Sequence, residues 1–427
     1  MMLGVKTNAS FFNRLRIDRK YRYEFIFISV VLLYELFSVF DILFFGNTAI
    51  QWEVIHKAKD IFADFTNVIG YSAEGDPYNH TLVYWLDEKG YPPLLYVISY
   101  LFSNSVYDMQ IYYDVQNYQS MYIENKVLMI FVVVSVATIV FLYESIRTYK
   151  NGSTLLRVMT AAALSLSFPV LLSLERGNSI IASLVFMMLF LCFFESDNKV
   201  LREAAYISLA IAAAIKLTPA ILGVILIIQK RWKDALRTIV YGFVFFFLPF
   251  LFLKGGMNNL PLFMRNLAFQ LMKYKDTEGC TLLGCLLHYD VDYSDQLRSI
   301  CSIVTIVICL LLLVSAFFIK RSSNRILLLC LIMIILPSHS ANYTIIYMIP
   351  ALIALLNETD KKPIDKIILA GGILCVCELG GKVGYYAVNH FNGLIVILIC
   401  SVIIAVKTLL SVRWRDIILR LPCSGTR

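Results

Sequence analysis

Long runs of apolar residues are the feature that most limits how this chain can fold. An α-helix needs about 20 apolar residues to cross a bilayer, and inside lipid only helices and closed barrels satisfy every backbone hydrogen bond. We therefore predict an all-α polytopic membrane protein, a bundle of about 10–12 membrane segments. The runs cover residues 23–45, 126–144, 155–174, 178–194, 204–229, 236–253, 297–319, 326–336, 343–356, 364–388 and 394–406.

Composition excludes a water-soluble protein. Of the 427 residues, 59% are hydrophobic and 16% are charged, whereas soluble domains average about 45–50% apolar and about 25% charged residues. The net charge of +8 does not indicate nucleic acid, because the basic residues stand beside the apolar runs rather than on one face. We interpret them as topology signals and expect the lipid bilayer, but no nucleic acid, as a partner.

The positions of Lys and Arg predict the topology. Residues 1–22 form a basic cytoplasmic N-terminus, residues 23–410 a single transmembrane domain, and residues 411–427 a basic cytoplasmic tail. The two long polar segments, 46–125 and 254–296, contain few basic residues and are expected to be extracytoplasmic loops. The first of these loops is expected to carry amphipathic helices.

The run at 204–229 has basic flanks at both ends and is interrupted at Lys216-Leu217-Thr218-Pro219. Two interpretations fit this pattern. The segment either enters and leaves on the same side as two short helices that meet at the break, or forms one Pro-kinked span with reversed topology downstream.

The first long loop contains a pair of carboxylates. Asp60 and Asp64 are four residues apart in an amphipathic pattern, so they share one helix face. Such a pair could bind a cation, act as a base or simply be solvated. Further on, Tyr91-Pro92-Pro93 begins a short apolar helix at 94–102, which is too short to cross the membrane.

Three polar spots lie among apolar residues, where charge is costly. The segment Glu175-Arg176-Gly177-Asn178 is either a charged interfacial turn or an anion site. Lys216 either snorkels to the interface or binds a lipid-borne phosphate. The turn at 337–343, which includes His339, is either a hairpin cap or a set of donors that orients a sugar.

These motifs resemble known ones. Asp64-Phe65, Gly75-Asp76-Pro77-Tyr78 and Tyr91-Pro92-Pro93-Leu94 resemble the first-loop pattern of GT-C glycosyltransferases. The order of Glu175-Arg176-Gly177-Asn178, Lys216-x-Thr218-Pro219-Ala220 and Pro337-x-x-Ser340-x-Asn342-Tyr343 is most similar to glycosyltransferase family 87, which includes polyprenyl-phosphate-mannose-dependent mannosyltransferases of bacterial cell envelopes. The resemblance spans residues 60–350. The family more often has Gln at the position of Asn178, and His at that of Asn342.

The resemblance implies a GT-C-like bundle and a reaction. A sugar, mannose or another hexose or pentose, would move from a polyprenyl-phosphate donor to an envelope lipid or glycan acceptor, with inversion at the anomeric carbon. The enzyme would lie in the bacterial inner membrane with an extracytoplasmic active site. The first loop has no Asp-x-Asp, so no metal ligands are assigned, and a divalent cation stays an open alternative.

Roles for individual residues follow from the same resemblance. The acceptor proton needs a base, which we assign to Asp64, with Asp60 as the second candidate. Arg176 and Lys216 are assigned to the donor phosphate. The sugar and acceptor sites are assigned to Tyr91, Asn178, His339, Asn342 and Tyr343.

Two other functions remain open at this stage. Broken helices also occur in transporters, so a multispan transporter or flippase of a lipid-linked or small polar substrate is the first alternative. An envelope polysaccharide polymerase or ligase is the second.

Overall fold

The computed structural model describes residues 21–45, 63–72, 75–78, 90–101, 125–273, 279–287, 294–337, 340–377, 382–383 and 386–412. Almost all of these residues are helical. The α-helices, numbered in chain order, are α1 (Arg22–Phe45), α2 (Ala63–Ser72), α3 (Pro93–Tyr100), α4 (Asn125–Tyr149), α5 (Thr154–Ser165), α6 (Phe168–Glu175), α7 (Ile180–Phe193), α8 (Lys199–Ile215), α9 (Val224–Ile228), α10 (Trp232–Phe247), α11 (Asn259–Lys273), α12 (Leu282–Leu287), α13 (Asp295–Phe318), α14 (Ser322–Ile335), α15 (Ile349–Leu356), α16 (Pro363–Val376) and α17 (Val388–Ser411). Short 3-10 helices cover Thr218–Gly223, Leu248–Phe252, Gly256–Asn258 and Asn342–Met348.

Within the described residues, five helices are long and apolar enough to cross a membrane. They lie in α1, α4, α10 with the 3-10 turn after it, α13 and α17. The pair α5 and α6 adds a sixth if it is taken as one span bent by 46°. The chain is thus an all-α polytopic membrane protein, as predicted, but several of the expected segments are shorter apolar helices such as Ile180–Phe193 and Ser322–Ile335.

Prolines and polar residues explain two of these interruptions. Ser167 is extended (φ −64°, ψ 152°) between α5 and α6, and Pro169 in the first turn of α6 has no N–H with which to continue the hydrogen bonding of α5. Lys216 ends α8 in an extended conformation (φ −139°, ψ 125°), and Pro219 then opens the 3-10 turn.

The expected run at 364–388 is not one span. Helix α16 ends at Val376, and two short antiparallel strands follow, β1 (Lys382–Val383) and β2 (Tyr386–Ala387). The sequence contains Gly380, Gly381 and Gly384 here, and glycine weakens a helix.

The centre of the bundle is formed by α14, the 3-10 helix after it and α15. Leu328, Leu329 and Leu352 are completely buried there. By contrast, Val133, Val136 and Val140 on α4 are more than half exposed, although they are apolar. An exposed apolar face of this length in a membrane protein is the face that contacts lipid.

The segment that contains α8 and α9 forms a hairpin whose two ends are in contact. Nε2 of Gln229, just after α9, donates to Oε1 of Glu195 at 2.6 Å, and Arg231 donates to the carbonyl of Phe194 at 2.8 Å. The residues before α8 and after α9 therefore lie at the same end of the bundle. This return confirms the hairpin interpretation of 204–229, and the interpretation as one kinked span is wrong.

Buried ion pairs gather at that same end. Glu24 at the start of α1 pairs with Lys150 at 3.0 Å and with Lys361 at 3.2 Å, and the three side chains are only 1–3% exposed. We call these three residues the Glu24 cluster. Sγ of Cys192, near the end of α7, contacts the carbonyl of Ser145, near the end of α4. Because Lys150 follows α4 and Glu195 follows α7, the Glu24 cluster lies at the same end of the bundle as the two ends of the hairpin. The grouping of the basic segments at one end agrees with the topology, whose direction across the membrane stays a prediction.

Candidate active site

A carboxylate, a guanidinium and an amide meet where α2 contacts the turn between α6 and α7. Nη2 of Arg176 lies 2.9 Å from Oδ1 of Asp64, and Nδ2 of Asn178 donates to Oδ2 of Asp64 at 2.6 Å. The backbone N–H of Asp64 also donates to the carbonyl of Arg176 at 3.0 Å. The Asp64 side chain is 14% exposed. The carboxylate is therefore held by charge and by two hydrogen bonds in a site that excludes most water.

The turn that presents Arg176 and Asn178 is built from local sequence. Helix α6 ends at Glu175, and Gly177 reverses the chain with φ of +63°. Oδ1 of Asn178 accepts the N–H of Ile180 at 2.9 Å, which satisfies one of the unpaired donors at the start of α7. Because that oxygen is occupied, the amide presents its Nδ2 group to Asp64.

Gly177 is also where the α6–α7 turn packs closely against α2 and α4. A Cβ at this position would lie 2.6 Å from the Cβ of Phe65 and 3.2 Å from the ring of Phe131. Only glycine fits both this space and the left-handed backbone. Gly177 is part of the motif Glu175-Arg176-Gly177-Asn178, but no role for it is apparent from that motif alone.

Lys216 reaches the site from the break in the hairpin. Its Nζ lies 4.7 Å from the ring centroid of Tyr91, within the distance at which a cation is attracted to an aromatic face. The charge of Asp64 also acts on this ammonium. Lys216 is half-buried, so these two groups take the place of part of its hydration.

Tyr91 is positioned by a residue that carried no predicted role. The hydroxyl of Tyr78 donates to the carbonyl of Tyr91 at 2.7 Å. Burial raises the pKa of Tyr78, so this hydroxyl stays protonated and keeps its donor. Pro92 and Pro93 then start α3 directly after Tyr91.

The predicted turn at 337–343 contributes Tyr343. Its hydroxyl lies close to Asn178 and is influenced by the charges of both Asp64 and Arg176. Asn342 opens the 3-10 helix beside it and is half-buried. The structure thus brings Asp64, Arg176, Asn178 and Tyr343 together, whereas Asp60 and His339 lie outside the described residues.

An apolar cavity of about 280 Å³ opens from this cluster. Asp64, Asn178 and Tyr91 contribute to its wall, and most of the remaining lining is apolar. Its α4 wall includes Phe131, Val134, Ser135 and Thr138, of which Val134 is half exposed on the lipid-facing side. On α3 the wall includes Ile98, which is 40% exposed. The cavity therefore runs from the charged cluster to the surface that faces lipid. Its α4 wall could not be predicted, because residues 131–138 have the pattern of an ordinary apolar helix.

The chemistry of the site follows from these groups. The carboxylate can accept a proton or a hydrogen bond, and the two cations can hold an anion. Among the described residues, no group of three His, Cys, Asp or Glu side chains could hold a metal ion. The arrangement fits an amphiphilic anion, with its charge at the cluster and its apolar part in the cavity.

Comparison with known proteins identifies the family of the chain. Residues 91–338, more than half of the chain, match glycosyltransferase family 87. The matched region contains Tyr91, Arg176, Asn178 and Lys216, while Asp64 precedes it. No curated protein and no solved structure matches the chain. The chain belongs to glycosyltransferase family 87 and is a membrane glycosyltransferase.

Proposed function

We propose that this glycosyltransferase moves a sugar from a polyprenyl-phosphate donor to an envelope lipid or glycan acceptor, with inversion at the anomeric carbon. The observation that carries the proposal is the apolar cavity that begins at the lipid-facing surface and ends at Asp64 and Asn178, where Arg176 pairs with the Asp64 carboxylate. A sugar nucleotide is water-soluble and has no apolar chain that could occupy such a cavity. In a polyprenyl phosphate, the phosphate matches the charged end of the cavity and the long isoprenoid chain matches the apolar end that opens to lipid.

The donor phosphate is assigned to Lys216 and Arg176. A guanidinium has five N–H donors in a fixed plane, so Arg176 can bridge the Asp64 carboxylate and a phosphate. Lys216 carries a compact positive charge and lies against Tyr91 at the edge of the same cluster. Both cations favour the transition state because negative charge grows on the departing phosphate.

The reaction is a single displacement. The acceptor hydroxyl attacks the anomeric carbon opposite the phosphate, so a new C–O bond forms as the old one breaks and its electron pair leaves with the phosphate. The hydroxyl proton passes to Asp64 as general base. No general acid is required because a phosphate is already a weakly basic leaving group. One displacement inverts the configuration.

The remaining assignments belong to the same proposal. Tyr91, Asn178, Asn342 and Tyr343 surround the place where the sugar would lie. The transferred sugar is mannose or another hexose or a pentose. We place the site on the extracytoplasmic side of a bacterial inner membrane, with both termini cytoplasmic.

The test uses purified protein in liposomes with a panel of radiolabelled polyprenyl-phosphate sugars. Asp64→Asn should lower transfer by more than about 10²-fold, as loss of a general base does, while donor binding is retained. Asp295→Asn is the matched control, because Asp295 is a 94% exposed carboxylate paired only with a residue of its own helix in the described structure.

Two outcomes would contradict the proposal. Full transfer by Asp64→Asn would remove the base assignment. Label that enters the liposomes without forming a covalent product would indicate a transporter instead. A covalent product from only one donor sugar would also identify the natural sugar.

A further inference from the structure

A second cleft lies between α8 and α10, far from the candidate active site. Its volume is about 670 Å³, and its charged lining consists of Lys199, Arg202, Arg237 and Glu203. Ile207 and Val200 supply part of its apolar wall. No part of the proposed transfer reaction uses this cleft.

The cleft carries an excess of positive charge. Three basic side chains face one acid, and the acid is already engaged. Glu203 lies 3.4 Å from Arg237 and accepts a hydrogen bond from the hydroxyl of Tyr241. Arg202 is held in place by the carbonyl of Ser196 at 3.0 Å. Asp234 on α10 also lies 3.8 Å from Arg237, but it is outside the cleft lining and pairs more closely, at 2.8 Å, with Arg231. The cleft thus joins cations from two helices, and Glu203 is the one carboxylate among its described lining residues.

The position of the cleft relative to the membrane follows from α8. This helix has 17 residues and is therefore about 25 Å long at about 1.5 Å per residue. Lys199 begins the helix and Lys216 follows its last residue, so the cleft and the candidate active site lie near opposite membrane surfaces.

The surface beside the cleft is that of a membrane boundary. Trp232 at the start of α10 is 62% exposed, and tryptophan is enriched at the level of lipid headgroups. One turn further, Leu236, Val240 and Phe243 form an exposed apolar face. If a lipid placed its charged headgroup in the cleft, its acyl chains would therefore lie against α10.

We propose that this cleft binds the headgroup of an anionic phospholipid in the leaflet opposite the active site. Basic pockets between membrane helices bind anionic headgroups in this way. A soluble anion would make no contact with the adjoining apolar face of α10. A zwitterionic lipid would bring its own positive charge into a cleft that already has an excess of positive charge. The bound lipid connects Lys199 on α8 to Arg237 on α10.

The experiment measures binding of dioleoylphosphatidylglycerol to the full chain by native mass spectrometry, with dioleoylphosphatidylcholine as the neutral competitor. The test variant is Lys199→Gln/Arg237→Gln. The control is Lys230→Gln/Lys233→Gln, which removes two positive charges from the same side of the protein but outside the cleft. Thermal unfolding of both variants checks that each is folded.

A basic residue near an anionic membrane surface changes binding about fivefold, so loss of two should weaken retention of the anionic lipid by roughly thirtyfold. The control should stay within about twofold of the original protein. Equal losses in both variants would mean diffuse attraction without a site, and no loss in the test variant would mean that the cleft does not bind the lipid. Either result overturns the proposal. Because no transfer activity is measured, failure here would leave the proposed reaction untouched.

Discussion

Replacement of Gly177 by alanine tests whether the close approach of α2 to the α6–α7 turn sets the geometry of the base. The added Cβ would lie 2.6 Å from the Cβ of Phe65, whereas carbon atoms in contact are about 3.5–4.0 Å apart. The two segments must therefore separate by about 1 Å. The hydrogen bond from the N–H of Asp64 to the carbonyl of Arg176, now 3.0 Å, would then exceed hydrogen-bonding distance.

The size of the effect follows from this displacement. A catalytic group displaced by about 1 Å costs about 10²-fold in rate, which corresponds to about 2.7 kcal/mol in the activation free energy. The left-handed backbone of Gly177 adds about 1–2 kcal/mol of strain to the folded state when a side chain is present. We expect kcat to fall about 10²-fold and the free energy of unfolding to fall as well.

Gly256→Ala separates these two effects. Gly256 also has a positive φ, +56°, but nothing lies within 4 Å of its added Cβ. This control carries the strain without the collision, so its stability should fall and its kcat should stay close to that of the original enzyme. The assay is initial-rate transfer with a saturating polyprenyl-phosphate sugar, accompanied by thermal unfolding. A kcat for Gly177→Ala within about threefold of the original value, or equal losses in both variants, would refute the reasoning.

Two further substitutions probe the supports of the site and of the bundle. Tyr78→Phe removes the hydroxyl that donates to the part-buried carbonyl of Tyr91, which should cost about 1 kcal/mol of stability. It should also raise the KM for the sugar donor, because the Tyr91 ring contacts Lys216. An unchanged KM and melting temperature would argue against this support. Glu24→Gln leaves the two buried ammonium groups of the Glu24 cluster without their carboxylate, and should cost about 3–5 kcal/mol in the free energy of unfolding with little change in kcat. A normal melting temperature for the second variant would show that the cluster is not stabilising.

The parts of the fold that the sequence predicted are those encoded by local pattern. Apolar runs located the helices, and the break at Lys216 and Pro219 located the hairpin, because proline and an extended residue interrupt helical hydrogen bonding wherever they occur. Among the described residues, the helices that are long and apolar enough to cross a membrane, five or six, are fewer than the apolar runs in the sequence. A run of apolar residues has the same composition whether it crosses the membrane or lies in the protein core, as α14 does, and only packing distinguishes the two.

Motifs located the candidate site, but its internal contacts could not be read from them. Asp64 and Arg176 are 112 residues apart, and no local pattern pairs residues at that distance. Arg176 was assigned to the donor phosphate together with Lys216, and its ion pair with the Asp64 carboxylate was not foreseen. The roles of Tyr78 and Gly177 were missed for the same reason, since each acts through a contact with a distant segment.

The charges of the cluster suit both ends of the proposed reaction. Before transfer, one carboxylate and two cations, Asp64 with Arg176 and Lys216, leave one net positive charge opposite the single negative charge of a sugar-linked phosphate. After transfer, Asp64 holds the acceptor proton and is neutral, so two positive charges face the lipid phosphate as it gains its second negative charge. The attraction therefore grows as the bond to the sugar breaks, and only interactions that strengthen toward the transition state accelerate a reaction. In a site that opens to lipid through an apolar cavity, such an increase in attraction has a larger effect than it would in water. This is a physical reason for a base and two cations to lie together beside the cavity.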